Sequence, residues 1–219
     1  MIEGVISDWD GTLADTQKII AQSFAAALAE IGCYVDSSLI AKHFGTGTRK
    51  TLQEALKSQG CSFDDALIAR LSARKNELQV AQRDEVRLFP GAVELLDVLR
   101  GRKSLALASM SVRHVLEGLL SHLRLNDRFN TIVTADDVER PKPHPDIFLA
   151  AADRLGKRPY QCAVIEDSVH GVEAAKAAQM KVIAVTTGNA SMQELAGLRP
   201  DLIVQSLQER DRILQCLSL

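Results

Sequence analysis

Short runs of apolar residues, each followed by a segment with helical periodicity, recur along the chain and constrain its fold more than any other feature. Runs rich in Val and Ile are typical of strands buried on both faces of a parallel sheet. Six occur, at Ile2 to Ser7, Ser104 to Ser109, Thr131 to Thr134, Cys162 to Glu166, Lys181 to Val185 and Leu202 to Val204. The helical segments lie at about Ala92 to Arg100, Val112 to Leu120, Pro145 to Leu155, Val169 to Ala178 and Met192 to Ala196, with a last one from Leu207. This alternation predicts a doubly wound α/β core.

Nearly a hundred residues between the first two predicted strands interrupt the alternation and read as helical. Gly32 follows the first of these helical segments as a stop signal, and Asp36 supplies a cap for the next one. A later segment carries an apolar stripe of Leu67, Leu71 and Leu78. We therefore predict a core of residues 1–15 and 87–219 and an inserted helical subdomain of residues 16–86.

Composition excludes several classes of protein. Of the 219 residues, 46% are hydrophobic and 25% charged, which indicates a packed fold rather than a disordered chain. A net charge of −2 gives no broad electrostatic footprint for nucleic acid, and no apolar run approaches the roughly 18 residues of a membrane span. The four cysteines form no Cys-x-x-Cys pair, which disfavours a zinc or dithiol site. We expect a cytoplasmic protein with free thiols and without a nucleic-acid or membrane partner.

Residues able to do chemistry follow three of the predicted strands. Asp8 and Asp10 come after the first, Ser109 ends the second, and Glu166 with Asp167 ends the fourth. A lysine between two prolines, at position 142, precedes that fourth strand. Singly, each has an ordinary interpretation as a turn, a helix cap or a solvated loop residue. Because ligands bind at the carboxyl ends of parallel strands, their joint occurrence predicts a catalytic site with a nucleophile, metal-binding carboxylates, a hydroxyl and a cation.

On these residues the sequence closely resembles the haloacid dehalogenase-like superfamily, in the branch with a helical cap inserted after the first strand. That branch includes phosphoglycolate phosphatase-like enzymes and β-phosphoglucomutase. The resemblance covers essentially the whole chain and implies a Rossmann-like core beneath an α-helical cap domain. The matching motifs are Asp8-Trp9-Asp10-Gly11-Thr12, Ser109, Lys142 within Pro141 to Phe148, and Glu166-Asp167-Ser168-Val169-His170-Gly171.

The resemblance implies a role for each side chain that would meet the substrate. Asp8 resembles the nucleophile, which attacks phosphorus to give an aspartyl-phosphate. Asp10 resembles the general acid and base, which protonates the leaving alcohol and then activates water. Ser109 and Lys142 resemble the residues that bind the phosphoryl oxygens. The implied reaction is transfer of a phosphoryl group from oxygen.

The resemblance also implies a magnesium site. The ion would be held by Asp8, the backbone carbonyl of Asp10 and Asp167, with Glu166 in or beside that ligand set. Hard oxygen ligands together with a substrate phosphate suit Mg²⁺. We therefore expect Mg²⁺ as the cofactor and a small phosphorylated metabolite as the substrate.

The residues favour a phosphatase over the alternatives. Asp10 separates the chain from dehalogenases and phosphonoacetaldehyde hydrolases, which lack an acid two positions after the nucleophile. β-Phosphoglucomutases usually carry a histidine where this chain has Ile20, which disfavours the mutase. Arg49 resembles an arginine that those mutases and some phosphatases direct at a distal substrate anion, so the mutase stays open. An interpretation of Arg49 as a solvated residue also stays open. A silent phosphoryl-binding protein is the third alternative, which the complete set of motifs disfavours.

Other positions receive plain interpretations. We expect His43, Arg74 and Lys75 to belong to an ordinary polar helix face rather than to the substrate site. Gln179 stands where most relatives carry a glycine, which concerns local backbone geometry rather than chemistry.

Overall fold

The strands and helices can be followed over residues 1–219, all of which the computed structural model describes. The strands are β1 Gly4–Ser7, β2 Ala14–Asp15, β3 Arg87–Leu88, β4 Ser104–Ala108, β5 Thr131–Val133, β6 Cys162–Glu166, β7 Lys181–Val185 and β8 Leu202–Val204. The helices are α1 Gln17–Ala29, α2 Ser37–Ala41, α3 Thr48–Ser58, α4 Asp65–Ala81, α5 Ala92–Leu99, α6 Arg113–His122, α7 Asp146–Arg154, α8 Val169–Ala177, α9 Met192–Gly197 and α10 Arg210–Cys216.

Six strands form one parallel sheet in the order β5-β4-β1-β6-β7-β8. Each lies within one of the six predicted apolar runs. Strand β1 is central, and the order reverses beside it, because the chain first builds outward through β4 and β5 and then through β6, β7 and β8. The predicted α/β class, with a helical insertion after the first strand, is confirmed.

Helices cover both faces of the sheet, as the two-residue period of a strand requires. Val5 of β1 joins a cluster with apolar residues of α5, α6 and α10, whereas Ile6 joins one on the other face with residues of α7, α8 and α9. Both side chains are buried. The sheet is therefore the middle layer of three, and only its edges and strand ends are open to ligands.

Helices α1 to α4, which we call the cap, pack around a third apolar cluster of their own. Asp36 caps α2 by accepting from Ser38 N–H at 2.7 Å, as predicted, and Asp64 caps α4 by accepting from Leu67 N–H at 2.7 Å. The predicted stripe on α4 needs correction. Its buried residues are Ile68, Leu71, Lys75, Asn76 and Gln79, while Leu67 and Leu78 are half-buried at its margin. One part of this helix therefore buries polar side chains.

Two short strands join the cap to the core. Strand β2 pairs antiparallel with β3, so that Ala14 lies opposite Leu88 and Asp15 opposite Arg87. The chain thus leaves the core and returns to it at one place. The domain boundaries at 15/16 and 86/87 stay a prediction. No helix combines the length and apolar character needed to cross a membrane.

Candidate active site

The candidate site lies at the carboxyl ends of the three strands around the centre of the sheet. Asp8 directly follows β1, Ser109 follows β4, and Glu166 ends β6 with Asp167 next to it. Because β1 pairs with both β4 and β6, these ends are neighbours. Parallel strands therefore bring together residues that are far apart in sequence, at the edge where such sheets bind ligands.

Three buried carboxylates meet at this edge. Oxygen atoms of Asp8, Glu166 and Asp167 all lie within 4.8 Å of one another. Burial raises the pKa of Asp8 to about 8, with Lys142 opposing the shift and Glu166 adding to it. Burial and the charge of Glu166 likewise raise the pKa of Asp167 well above its ordinary value. The cluster thus concentrates negative charge where water cannot disperse it.

Lys142 bridges two of these carboxylates. The residue is 1% exposed, and its Nζ donates to Asp8 Oδ1 at 2.6 Å and to Glu166 Oε1 at 2.5 Å. Burial alone would lower the pKa of Lys142, but the charges of Asp8 and Glu166 outweigh burial and raise it. Lys142 is therefore a fixed cation whose ammonium group touches the predicted nucleophile.

Glu166 is held by the start of the next helix. Its Oε2 accepts from the backbone N–H groups of Asp167 and Ser168 at 2.8 Å each, and from Ser168 Oγ at 2.9 Å. Gly171 leaves the space that the carboxylate fills, since a Cβ there would lie 1.8 Å from Glu166 Oε1. Glu166 is thus anchored on one oxygen and presents the other to Lys142.

Hydroxyl groups surround the half-buried Asp10. Its Oδ1 accepts from Thr16 Oγ1 at 2.8 Å, and its Oδ2 accepts from Ser109 Oγ and Ser111 Oγ at 2.9 Å each. The predicted phosphate ligand Ser109 therefore contacts the predicted acid/base, and its Oγ also accepts from Ser111 N–H at 3.0 Å. The sequence motifs do not include Thr16 or Ser111. The only sequence feature that could have indicated them is that each carries a hydroxyl group and lies close to a motif.

Asp167 is held by a second pair of donors. Thr12 Oγ1 donates to its Oδ1 and Gln17 Nε2 to its Oδ2, both at 2.9 Å. Thr12 belongs to the first motif, but Gln17 carries no motif signal. It opens α1, so the cap contributes directly to the acidic cluster.

The cap lies over the site, and a partly open cavity of about 50 Å³ remains between them. That is room for a few water molecules. Cap residues lining it include Ile20, Phe24, His43 and Lys75. Ile20 is buried in the apolar cluster of the cap, as predicted, and also faces this space.

Lys75 corrects the expectation that it lies on an ordinary polar face. The residue is 3% exposed. Its Nζ donates to Gln79 Oε1 at 2.5 Å and lies 5.0 Å from the centre of the Phe24 ring. Burial lowers the pKa of Lys75 to about 8, although the charge of Asp10 opposes the shift. The expectation was wrong because this face of α4 points into the protein, beside Phe24 and the site, rather than toward solvent. Of the other two residues, His43 also lines the site, whereas Arg74 pairs with Glu30 and Glu77 at the surface.

Arg49 is not brought together with the acidic cluster. Its side chain is 58% exposed and pairs with Asp65. It lines a neighbouring, solvent-open cavity of about 490 Å³, together with Asn76 and Met110. The two cavities share Gly47, Thr48 and Met110.

The donor set fits a divalent cation. Three buried carboxylates face one lysine, which leaves negative charge uncompensated, and buried charges need a partner. Carboxylate oxygens are the ligands that Mg²⁺ and Ca²⁺ prefer. Asp8 and Asp167 would supply one ligand oxygen each, with Glu166 beside them.

Comparisons with known proteins agree with this geometry. The family model for haloacid dehalogenase-like hydrolases matches residues 5–185. The fructose-1-phosphate phosphatase YqaB of Escherichia coli is 32% identical over 182 residues, which cover 83% of this chain and 95% of that protein. The β-phosphoglucomutase structure from Clostridium difficile superposes with a TM-score of 0.89 at 26% identity and covers 100% of this chain and 98% of its own. A mutant of CbbY from Rhodobacter sphaeroides, solved with xylulose-1,5-bisphosphate, gives a TM-score of 0.84 at 28% identity, covering 95% and 96%.

The parallel sheet, the carboxylates at its central strand ends and the closing helices define a phosphatase-type hydrolase. The chain belongs to the haloacid dehalogenase-like hydrolase family.

Proposed function

We propose that this protein is a Mg²⁺-dependent phosphatase that hydrolyses a small phosphorylated metabolite through an aspartyl-phosphate on Asp8. The observation that carries the proposal is the convergence of Asp8, Glu166 and Asp167 within 4.8 Å beside the buried Lys142. Bound Mg²⁺ would offset the repulsion between a carboxylate nucleophile and an anionic phosphoryl group.

Asp8 has the surroundings of a nucleophile. Its carboxylate is buried, and Lys142 holds one of its oxygens at 2.6 Å. Attack on phosphorus requires the ionised form. The positive charge of Lys142 favours this form but does not outweigh burial, so bound Mg²⁺ would supply the remaining stabilisation of the carboxylate. In the proposed reaction Lys142 also binds a phosphoryl oxygen, where charge accumulates in the transition state.

Asp10 has the surroundings of a general acid and base. Three hydroxyl groups, from Thr16, Ser109 and Ser111, hold its two oxygens in place. It lines the same cavity as Asp8, so one substrate can reach both side chains. Asp10 would give a proton to the leaving alcohol and take one from the water that hydrolyses the aspartyl-phosphate.

The cap supports a sugar phosphate or a similarly polar phosphate ester as the substrate. The buried ammonium group of Lys75 faces the site across from the core carboxylates and suits hydroxyl or anionic groups of the leaving alcohol. Two similar proteins are named with sugar phosphates: the E. coli relative is a fructose-1-phosphate phosphatase, and the Rhodobacter structure contains xylulose-1,5-bisphosphate. Arg49, in the adjoining cavity, stays a predicted contact for a distal group. We also propose a cytoplasmic location, which cell fractionation would test.

Phosphate release tests the function. Purified protein with MgCl₂ should release phosphate steadily from members of a sugar phosphate panel, and Asp8→Asn should abolish turnover because it removes the nucleophile. Acid-quenched wild type should contain phosphorylated Asp8, detectable by peptide mass spectrometry. The matched control is Asp153→Asn, at an exposed position on α7, which should keep wild-type rates. Wild-type rates in Asp8→Asn would overturn the proposal.

A mutase is the second candidate, supported by the similarity to the β-phosphoglucomutase structure over the whole chain. Ile20 opposes it, because this apolar side chain faces the site where mutases usually place a histidine. We expect no appreciable interconversion of β-glucose 1-phosphate and glucose 6-phosphate. Rapid interconversion stimulated by glucose 1,6-bisphosphate, with only trace phosphate release, would establish the mutase instead. Metal-dependent phosphate binding without either reaction would favour the silent phosphoryl-binding protein.

A further inference from the structure

Gln17 connects the first helix of the cap to the acidic cluster of the core. It is the first residue of α1, and its half-buried side chain donates from Nε2 to Asp167 Oδ2 at 2.9 Å. Asp167 is one of the three clustered carboxylates and is 1% exposed. A neutral amide from the cap therefore lies in direct contact with a predicted metal ligand of the core.

The oxygen that Gln17 contacts is enclosed by backbone. A Cβ on Gly188 would lie 1.6 Å from Asp167 Oδ2, and a Cβ on Gly11 would lie 2.3 Å from both Oδ2 and Gln17 Nε2. Gly11 has a φ of +89°, so the chain there both bends sharply and passes close to the carboxylate. Between two glycine backbones and the Gln17 amide, the carboxylate has little freedom to rotate.

Gln17 can orient the Asp167 carboxylate without blocking a cation from binding to it. An ionised carboxylate has about four positions that accept a hydrogen bond or a cation. Thr12 uses one on Oδ1 and Gln17 one on Oδ2, so acceptor capacity remains on Asp167. Partners that hydrogen-bond a metal-binding carboxylate fix its direction, and their loss typically weakens metal binding by ~10- to 100-fold.

We propose that Gln17 is a positioning residue for a divalent cation, which fixes the Asp167 carboxylate from the cap side. The proposal rests on the metal-binding part of the proposed function. It makes the cation site a joint product of core and cap, because the acid comes from the end of β6 and its orienting amide from α1.

Mn²⁺ binding without substrate tests this proposal. Free Mn²⁺ in a titration is measured by electron paramagnetic resonance for the wild type, Gln17→Met and Gln82→Met, and Asp167→Asn identifies the site. Met keeps the length of Gln without an N–H donor. Gln82 is a matched control, since it is also a half-buried glutamine. It lies directly after α4 and donates to Ser23 Oγ and Leu78 O of the cap helices, away from the cluster. Circular dichroism checks that each variant is folded.

We expect Gln17→Met to bind Mn²⁺ about tenfold more weakly, with Gln82→Met unchanged. Unchanged or tighter binding by Gln17→Met would overturn the positioning role and leave the proposed function standing. Equal weakening in both glutamine variants would also overturn it, because the effect would then come from the cap in general. If the wild type binds no Mn²⁺, the metal-binding part of the proposed function falls with the inference.

Discussion

Asp10 shows how single residues are prepared for chemistry here. Its carboxylate accepts hydrogen bonds from Thr16, just before α1, and from Ser109 and Ser111, in the core segment after β4. These hydroxyl groups can also turn toward other partners, because a hydroxyl both donates and accepts. Asp10 can therefore exchange a proton with a substrate while its position stays fixed.

We expect Asp10→Ala to slow formation and breakdown of the aspartyl-phosphate by ~10²- to 10⁴-fold each. An activated aryl phosphate needs little protonation of its leaving group, so its first step should lose less than that of an alkyl phosphate. Single-turnover rates with both substrates measure this difference, with Asp153→Ala as the control. Equal losses for the two substrates would remove Asp10 from the acid role.

Lys75 gives the stability of the protein a distinctive pH dependence. Its pKa in the fold is about 8, below the ordinary 10.5, so between these values the unfolded chain binds a proton that the folded protein has lost. Stability therefore rises with pH across this range. Relative to Lys75→Met, wild type should gain roughly 2 kcal/mol in free energy of unfolding from pH 7 to pH 9.5. Urea unfolding at both pH values measures the gain. A difference between the two proteins that stays constant with pH would contradict the lowered pKa of Lys75.

The predicted motif residues could be read from sequence, whereas Lys75 and Gln17 could not. Asp8 and Asp167 stand at strand ends, where the parallel sheet itself brings them together. Lys75 continues the helical spacing of Ile68 and Leu71, but amphipathicity assumes that only apolar side chains are buried. The face of α4 next to a polar site breaks that assumption. Gln17 depends on an approach between cap and core that a sequence pattern does not encode.

At the scale of elements, α8 ends in an unfavourable conformation. Gln179, just past its last turn, has a φ of +58°, in the left-handed region that favours glycine. The positive φ agrees with the glycine that the family resemblance led us to expect at this position. We expect Gln179→Gly to raise the free energy of unfolding by about 0.5–1 kcal/mol. Thermal unfolding measures it, with Gln53→Gly inside α3 as a control that should destabilise. Destabilisation by Gln179→Gly would contradict the strain.

Asp137 stabilises the segment that connects β5 to Lys142 by accepting several hydrogen bonds. It accepts from Thr134 N–H at 2.7 Å and from Arg113 and Arg154 at 2.6 and 2.7 Å. Partial burial raises the pKa of Asp137, but hydrogen bonds from Arg154 and Thr134 outweigh it and lower the pKa to about 2.

We expect Asp137→Asn to cost about 1–2 kcal/mol at pH 7, because the paired carboxylate stabilises the fold. That stabilisation is complete above about pH 5 and is lost progressively as the pH falls through the ordinary value of 3.8 to about 2. The advantage of wild type should therefore shrink between pH 5 and pH 3 in urea unfolding. An advantage that is constant over this range would mean that the ionised carboxylate does not stabilise the fold.

Element positions were largely predictable, and their buried faces less so. The six apolar runs located the strands of the sheet to within a few residues, because strands buried on both faces leave little room for polar residues. On α4 the stripe was displaced, since Ile68 rather than Leu67 is buried beside Leu71. The side chains of neighbouring helix residues point in directions about 100° apart. Which of them is buried therefore depends on packing against other elements, which the sequence pattern does not specify.

At the scale of the whole molecule, the apolar cluster of the cap is separate from the two clusters beside the sheet. We expect Leu56→Ala, in the cap, to speed amide hydrogen exchange within the predicted 16–86 domain and to leave the sheet protected. Leu107→Ala, in β4, is the matched control, since both side chains are fully buried. Faster exchange in the sheet of Leu56→Ala, to the same extent as in the cap, would contradict the predicted boundaries.

The chain leaves the core at β2 and returns to it at β3, and this arrangement has an evolutionary consequence. Opposed residues of antiparallel strands lie ~5 Å apart, a gap that a two-residue turn closes. The chain between Asp15 and Arg87 can therefore be lengthened, exchanged for another module or lost without altering the path of the sheet. The carboxylates of the site are encoded on both sides of this insertion, and the proposed contact of Lys75 with the substrate is encoded within it. Under the proposed function, changes at insertion positions that do not contact the carboxylates can alter which metabolite is accepted while the reaction is retained.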